Sequence, residues 1–107
     1  RRRLAQHVSV RICDFDYGVV GVRLVLWIQS TSDGFIFDVD LRNAVGGTEK
    51  SVVQVPVFSN KHSLSDTTSV RRAEFDTGTV AVLRFNDYAG IRWERHGSNA
   101  PTELAPD

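Results

Sequence analysis

Val19-Val20-Gly21-Val22-Arg23-Leu24-Val25-Leu26-Trp27-Ile28-Gln29, a Ser32-Asp33-Gly34 turn, and then Phe35-Ile36-Phe37-Asp38-Val39-Asp40-Leu41 decide the fold class of this chain. Successive side chains of an extended strand point to opposite sides. In the first run this puts Val20, Val22, Leu24, Leu26 and Ile28 on one face and Val19, Val25 and Trp27 on the other. A run apolar on both faces predicts a central strand buried on both sides. The second run places Phe35, Phe37, Val39 and Leu41 on one face, with Asp38 and Asp40 on the other. That pattern predicts a strand with one wet face, closed by the Gly46-Gly47 turn.

Period two continues outward from this pair. Val8, Val10 and Ile12 alternate with Ser9, Arg11 and Cys13 and predict the first strand. Val52, Val53, Val55, Val57 and Phe58 predict a fourth, and Pro56 within it points to a sheet edge or a bulge, because proline has no N–H for the ladder. Residues 59–69 are polar, with Leu64 as the one apolar side chain, and read as a long loop. Val70, Ala73 and Phe75 suggest a short fifth strand and Asp76-Thr77-Gly78 a turn. Residues 79–85 form a sixth, with Ala81, Leu83 and Phe85 on one side and Val80 and Val82 on the other. Ile91 and Trp93, alternating with Arg92 and Glu94, give a seventh. No stretch holds a 3.6-residue period for the roughly 10 residues a helix needs. The expectation is an all-β chain, an antiparallel β-sandwich of about seven to eight strands.

The chain has 107 residues, with 13 Lys and Arg balanced by 13 Asp and Glu, 41% hydrophobic and 24% charged residues. That is the composition of one soluble globular domain rather than a disordered chain. We read residues 1–107 as a single domain excised from a longer chain, ordered over about 4–96, with 97–107 as a tail marked by Pro101 and Pro106. Zero net charge argues against a nucleic-acid partner, whose phosphates call for a basic surface. The zero is a sum of unlike parts. The first 12 residues hold four arginines and no acid, residues 13–60 are acidic, and residues 61–107 are mixed. Cys13 is the only cysteine, so no intrachain disulfide forms and a reducing, cytoplasmic setting is favoured. No apolar run approaches the roughly 20 residues of a transmembrane segment. Arg1, Arg2 and Arg3 lack the apolar block that would make them the start of a signal peptide.

Three blocks resemble the GOLD (Golgi dynamics) domain. The first is Leu24-Val25-Leu26-Trp27 followed by Asp33-Gly34-Phe35-Ile36-Phe37-Asp38-Val39, and the second is Val55-Pro56-Val57-Phe58. The third is similar to the family's Gly-x-Tyr-x-Leu-x-Phe-Asp-Asn pattern: residues 78–88, followed by Arg92, Trp93, Glu94 and Arg95. Val80 and Ala81 stand where the family carries tyrosine, and the acid and amide are exchanged as Asn86-Asp87. The lumenal branch of the family carries a disulfide pair, a coiled coil and a membrane anchor. The better match is the cytosolic branch, found beside lipid-transfer, acyl-CoA-binding or vesicle-adaptor domains. The resemblance implies a non-catalytic module that binds a protein partner or a lipid surface in membrane traffic, cytoplasmic and peripheral at Golgi or endosomal membranes.

Candidate chemistry is sparse, and no cofactor is expected. Asp14, Asp16, Asp33, Asp38 and Asp40 are the densest acidic set, and loop carboxylates of a sandwich bind Ca²⁺ in phospholipid-binding C2-like domains. Alternation already explains Asp38 and Asp40 as a solvent face, and the spacing matches no EF-hand loop. His7, His62 and His96 fall in no metal-ligand spacing, so no metal site is expected. No Gly-x-Ser-x-Gly signature is present, and Cys13, with Ile12 and Phe15 near it, reads as a small buried hydrophobe rather than a nucleophile. The chain therefore reads as no enzyme, though an accessory domain of a larger enzyme would look the same.

Two basic groups remain as binding candidates. Arg71 and Arg72 follow the polar segment, and Arg92, Arg95 and His96 line the polar side of the last strand beside Trp93. Arginines along a strand suit carboxylates of a partner or acidic lipid head groups. The plainer role of Arg92 and Arg95 is to guard an edge strand against aggregation. A protein partner could instead add a strand to the edge marked by Val55, Pro56 and Val57.

Overall fold

Alternating apolar side chains form strands because pairing satisfies the main chain while one face is withdrawn from water. The computed structural model describes residues 7–17, 21–30, 35–45, 48–58, 63–71, 73 and 78–104. Eight strands follow in order: β1 (Val8–Tyr17), β2 (Val22–Ser30), β3 (Ile36–Val45), β4 (Thr48–Phe58), β5 (Ser63–Val70), β6 (Thr79–Asn86), β7 (Arg92–His96) and β8 (Thr102–Glu103). They make a three-stranded sheet, β1-β2-β5, and a five-stranded sheet, β4-β3-β6-β7-β8. Every pairing is antiparallel. The expected antiparallel β-sandwich is the architecture observed. No helix is long and apolar enough to cross a membrane among the described residues.

The sheets pack through their inner faces. Val8, Val10, Val22, Leu24, Leu26 and Ile28 come from the smaller sheet, and Ile36, Val39, Leu41, Phe58, Ala81, Leu83, Phe85 and Trp93 from the larger. All are buried, and each Val, Leu, Ile or Phe side chain among them contributes about 1.5–3 kcal/mol by leaving water. β2 is central in its sheet, as expected, but only one of its faces is fully buried. Val22, Leu24, Leu26 and Ile28 have no exposed surface, whereas Val25 and Trp27 are partly exposed. A two-layer sandwich has one interior, so the second apolar row lies on the outer face. There Arg11 covers Trp27, its Cζ 4.2 Å from the ring centroid. Val19 and Val20 lie outside the described residues.

Two further expectations are corrected. Within the segment read as a loop, Ser63–Val70 is a strand paired along its length with β2. Leu64 and Val70 pack against the core, and main-chain hydrogen bonds hold the polar residues between them. The fifth strand therefore ends at Val70, and Ala73 lies beyond it; Phe75 is outside the described residues. Gly21 permits this pairing, since a Cβ there would sit 2.6 Å from the Val70 carbonyl oxygen. The segment read as a tail is built into the larger sheet as far as Leu104. β8 pairs with β7, Pro101 is buried, and the Leu104 N–H donates to the Arg92 carbonyl at 2.8 Å. β7 is therefore an inner strand, not the edge that Arg92 and Arg95 were expected to guard.

Candidate functional site

The site grows from an irregularity in β3. Asp38 has φ of 50°, the one non-glycine residue with positive φ among those described. Aspartate tolerates this left-handed region better than most residues. In the register with β6, Phe37 faces Asn86 and Asp40 faces Arg84, so β3 carries one extra residue. This is a β-bulge. Across β4, Asp38 falls between the pairs Phe37–Val57 and Val39–Val55, opposite Pro56. Pro56 has no N–H, so the ladder is already interrupted there. The bulge reverses the facing of the strand. Ile36 is buried before it and Val39 and Leu41 after it, while Phe35 is 49% exposed and Phe37 partly exposed. The uniform face of Phe35, Phe37, Val39 and Leu41 is corrected accordingly.

Arg92, on β7, uses the space this leaves. Its Nη1 donates to the Asp38 carbonyl at 3.2 Å and to Asn86 Oδ1 at 3.0 Å, and Asn86 Nδ2 donates to Asp38 Oδ2 at 3.2 Å. The guanidinium thus reaches across β6 to β3. Around it lies an open groove of about 400 Å³ lined by Asp38, Val39, Asp40, Gln54, Val55, Pro56 and Arg92. One wall is β4, the outermost strand of the larger sheet, with no strand beyond it among the described residues. Val57, 53% exposed, continues that edge.

The rest of this outer face is neutralised internally. Asp40 receives Arg42 Nη1 at 2.9 Å and the Ser51 hydroxyl at 3.1 Å. Glu49 lies 2.9 Å from both Arg42 Nε and Arg84 Nη2, and Arg84 Nε donates to Glu94 Oε2 at 2.6 Å. The contact from Arg42 Nε is an ion pair without hydrogen-bond geometry. His96 Nε2 lies 2.5 Å from Glu94 Oε1. Burial alone would raise the Glu94 carboxyl pKa. The hydrogen bonds from Arg84 and His96, with the charges of both, outweigh burial and lower it from 4.5. For Arg84, burial opposes the charge, but the hydrogen bonds and charges of Glu94 and Glu49 hold its pKa above the ordinary value.

The sequence candidates separate in space. Arg92 and Val55 meet in the groove and Val57 lies on its edge strand, whereas His96 belongs to the ion-pair network. Arg95 points to the other side of β7: its Nη1 donates to the Val8 carbonyl at 3.1 Å, and it lines a second groove with Arg11 and Trp27. Arg92, Arg95 and His96 therefore do not form one polar side, because residues three apart on a strand face opposite ways. Arg71 is exposed just past β5, beside Lys50 in a third groove. Arg72 lies outside the described residues. Asp38, Gln54 and Asn86 were missed. Only the proline of β4 hinted at them, and it did not say which residue would stand opposite.

Among the described residues no group of three or more His, Cys, Asp or Glu side chains could hold a metal ion. The side chains of Cys13, Asp14, Asp16 and Asp33 are outside the description. Comparison with protein-family models finds no match to this chain, and comparison with curated proteins finds no significant one.

Proposed function

We propose that this domain is a non-catalytic interaction module that takes an extended segment of a partner protein on the open edge of β4. The observation that carries this reading is the edge itself: eleven residues, Thr48–Phe58, closing the larger sheet with Val57 exposed and a polar groove alongside. Over residues 48–57 no strand lies beyond that edge among the described residues, so an added strand can meet its outward main-chain donors and acceptors while the side chains of that strand select the partner. The bulge where Val52 interrupts the β3–β4 register and the proline at position 56 restrict where pairing can run. Pairing is thereby confined to short segments and kept from sheet-to-sheet aggregation. The GOLD resemblance supplies the setting, membrane traffic at the cytoplasmic face of Golgi or endosomal membranes.

The test is a selection of random nonapeptides on the immobilised domain, followed by amide hydrogen exchange of the domain with each selected peptide. Alternating amides of residues 48–58 should slow on binding, because every second main-chain group of an edge strand faces outward. Selected peptides that leave these amides unchanged overturn the reading. Co-sedimentation with phosphatidylserine vesicles, again without a change at β4, would replace it with lipid-headgroup recognition.

A further inference from the structure

We infer that the groove around Arg92 is a carboxylate subsite that reads a glutamate on the segment docked along β4. The identity of the ligand rests on the edge-strand reading; the subsite itself is testable without it. Among the described residues, no carboxylate lies within ion-pair distance of Arg92, in contrast to Arg42 and Arg84 on the same face. Its Nη1 is committed to two neutral acceptors, the Asp38 carbonyl and Asn86 Oδ1. These fix the guanidinium plane without cancelling its charge. Nε and Nη2 make no hydrogen bond among the described residues, and that edge is one of the two that match the fork of a carboxylate.

Position then selects the side chain. Arg92 belongs to β7, but its bond to Asp38 brings the guanidinium over β3, one strand in from the edge. A strand added to β4 would lie about two strand spacings from β3, on the order of 10 Å. A glutamate carboxylate extends about 5 Å from its Cα and so reaches over β4 toward the guanidinium, about one methylene farther than aspartate, which favours glutamate. Gln54 and Pro56 stand between, on the exposed side of β4, and neither supplies a competing charge. Asp40, the other acid of β3 that lines the groove, is already neutralised by Arg42 and accepts the Ser51 hydroxyl. Asp38 is held by Asn86, and its exposed carboxylate suits the main-chain N–H groups of an incoming segment.

The probe is N-acetylglutamate N-methylamide, titrated against the ¹⁵N-labelled domain with the glutamine analogue as control at matched ionic strength. The acidic probe should shift the Arg92 Nε–H and Asn86 side-chain amide signals with millimolar affinity, and the neutral one should not. Arg92→Lys keeps the charge but loses the fork, and should weaken binding at least about tenfold. Arg92→Gln should abolish it, with unchanged main-chain spectra certifying both folds. Equal shifts from the two probes, no shift at all, or an unaffected Arg92→Lys variant overturns the subsite. Inorganic phosphate binding more tightly than the glutamate probe overturns its assignment to an acidic peptide. The nonapeptide selection distinguishes the two proposals: peptides that protect β4 without enrichment of glutamate leave the edge reading standing and the subsite not.

Discussion

Asp38, at the bulge of β3, and Asp87, in the turn after β6, are two aspartates of the larger sheet used in opposite ways. Asp87, just past β6, is 2% exposed. Its Oδ1 accepts the N–H groups of Ala89 at 2.9 Å and Ile91 at 3.0 Å, and its Oδ2 accepts Trp93 Nε1 at 3.0 Å. One carboxylate thus closes the turn from β6 to β7 and anchors the largest buried side chain. Asp38 is exposed, sits in the left-handed region and holds a single side-chain amide. Where donors saturate a carboxylate, no chemistry is left over and its role is architectural. Where the backbone bends and the polar groups stay incompletely matched, a groove opens beside an arginine. Strained, undersatisfied positions of that kind are where binding sites concentrate.

The harshest test of this contrast is Asp87→Ala. It removes the Asp87 acceptor from two main-chain N–H groups of a part-buried turn and from the buried indole N–H, at about 3–4 kcal/mol of stability. A fall in the urea midpoint with an unchanged slope measures it. Asp87→Asn keeps one acceptor oxygen but turns a donor toward a donor, and should cost about 2 kcal/mol. A loss below about 1 kcal/mol for Asp87→Ala would remove the distinction between the two aspartates.

The contrast also shows what the sequence could reveal. Period two made the sandwich legible, because burial on one face of each strand is written directly in residues such as Val22, Leu24, Leu26 and Ile28. The phase of β3 was legible only as far as Asp38. One extra residue there moves Phe35 and Phe37 outward, and aspartate on an alternating strand looks the same with or without a bulge. β5 was hidden for a different reason. Of its described side chains, Leu64 and Val70 are the apolar ones that pack on the core, and its main-chain pairing with β2 leaves no trace in side-chain polarity. For the candidate site, Arg92 and Val55 were visible as residue types, but their meeting depends on the order β4-β3-β6-β7, which periodicity does not encode.

Beyond the bulge, on the outer face of the same sheet, runs the ion-pair network, and in it the Glu94 carboxyl has a lowered pKa. Its folded pKa lies below the unfolded value, so its contribution to stability is complete above about pH 5–6 and is lost as pH falls through the folded pKa. Side chains of Glu94 and Arg84 retain 16% and 26% exposure, which with solvent screening holds the contribution to about 1 kcal/mol. Glu94→Gln should therefore lose about that much at pH 7, and the gap to the parent chain should narrow as pH falls from 6 to 3. A gap independent of pH over that range would mean that packing, not charge, accounts for the loss.

Asp38→Gly carries the smallest effect and sharpens the comparison most. Glycine relieves the left-handed backbone, gives up one exposed side-chain hydrogen bond, and adds freedom to the unfolded chain by about 0.5–1 kcal/mol. These offset one another, so stability should change by no more than about 0.5 kcal/mol. Asp38→Val, a β-branched side chain at positive φ, should instead cost about 1–2 kcal/mol. Arg92 bonds to the main-chain carbonyl of residue 38 rather than to its carboxylate, so the groove should survive Asp38→Gly. Binding of the glutamate probe should then hold or tighten as a neighbouring negative charge is removed. Loss of stability on the scale of Asp87→Ala would instead make Asp38 a second structural carboxylate and leave the bulge without a separate role.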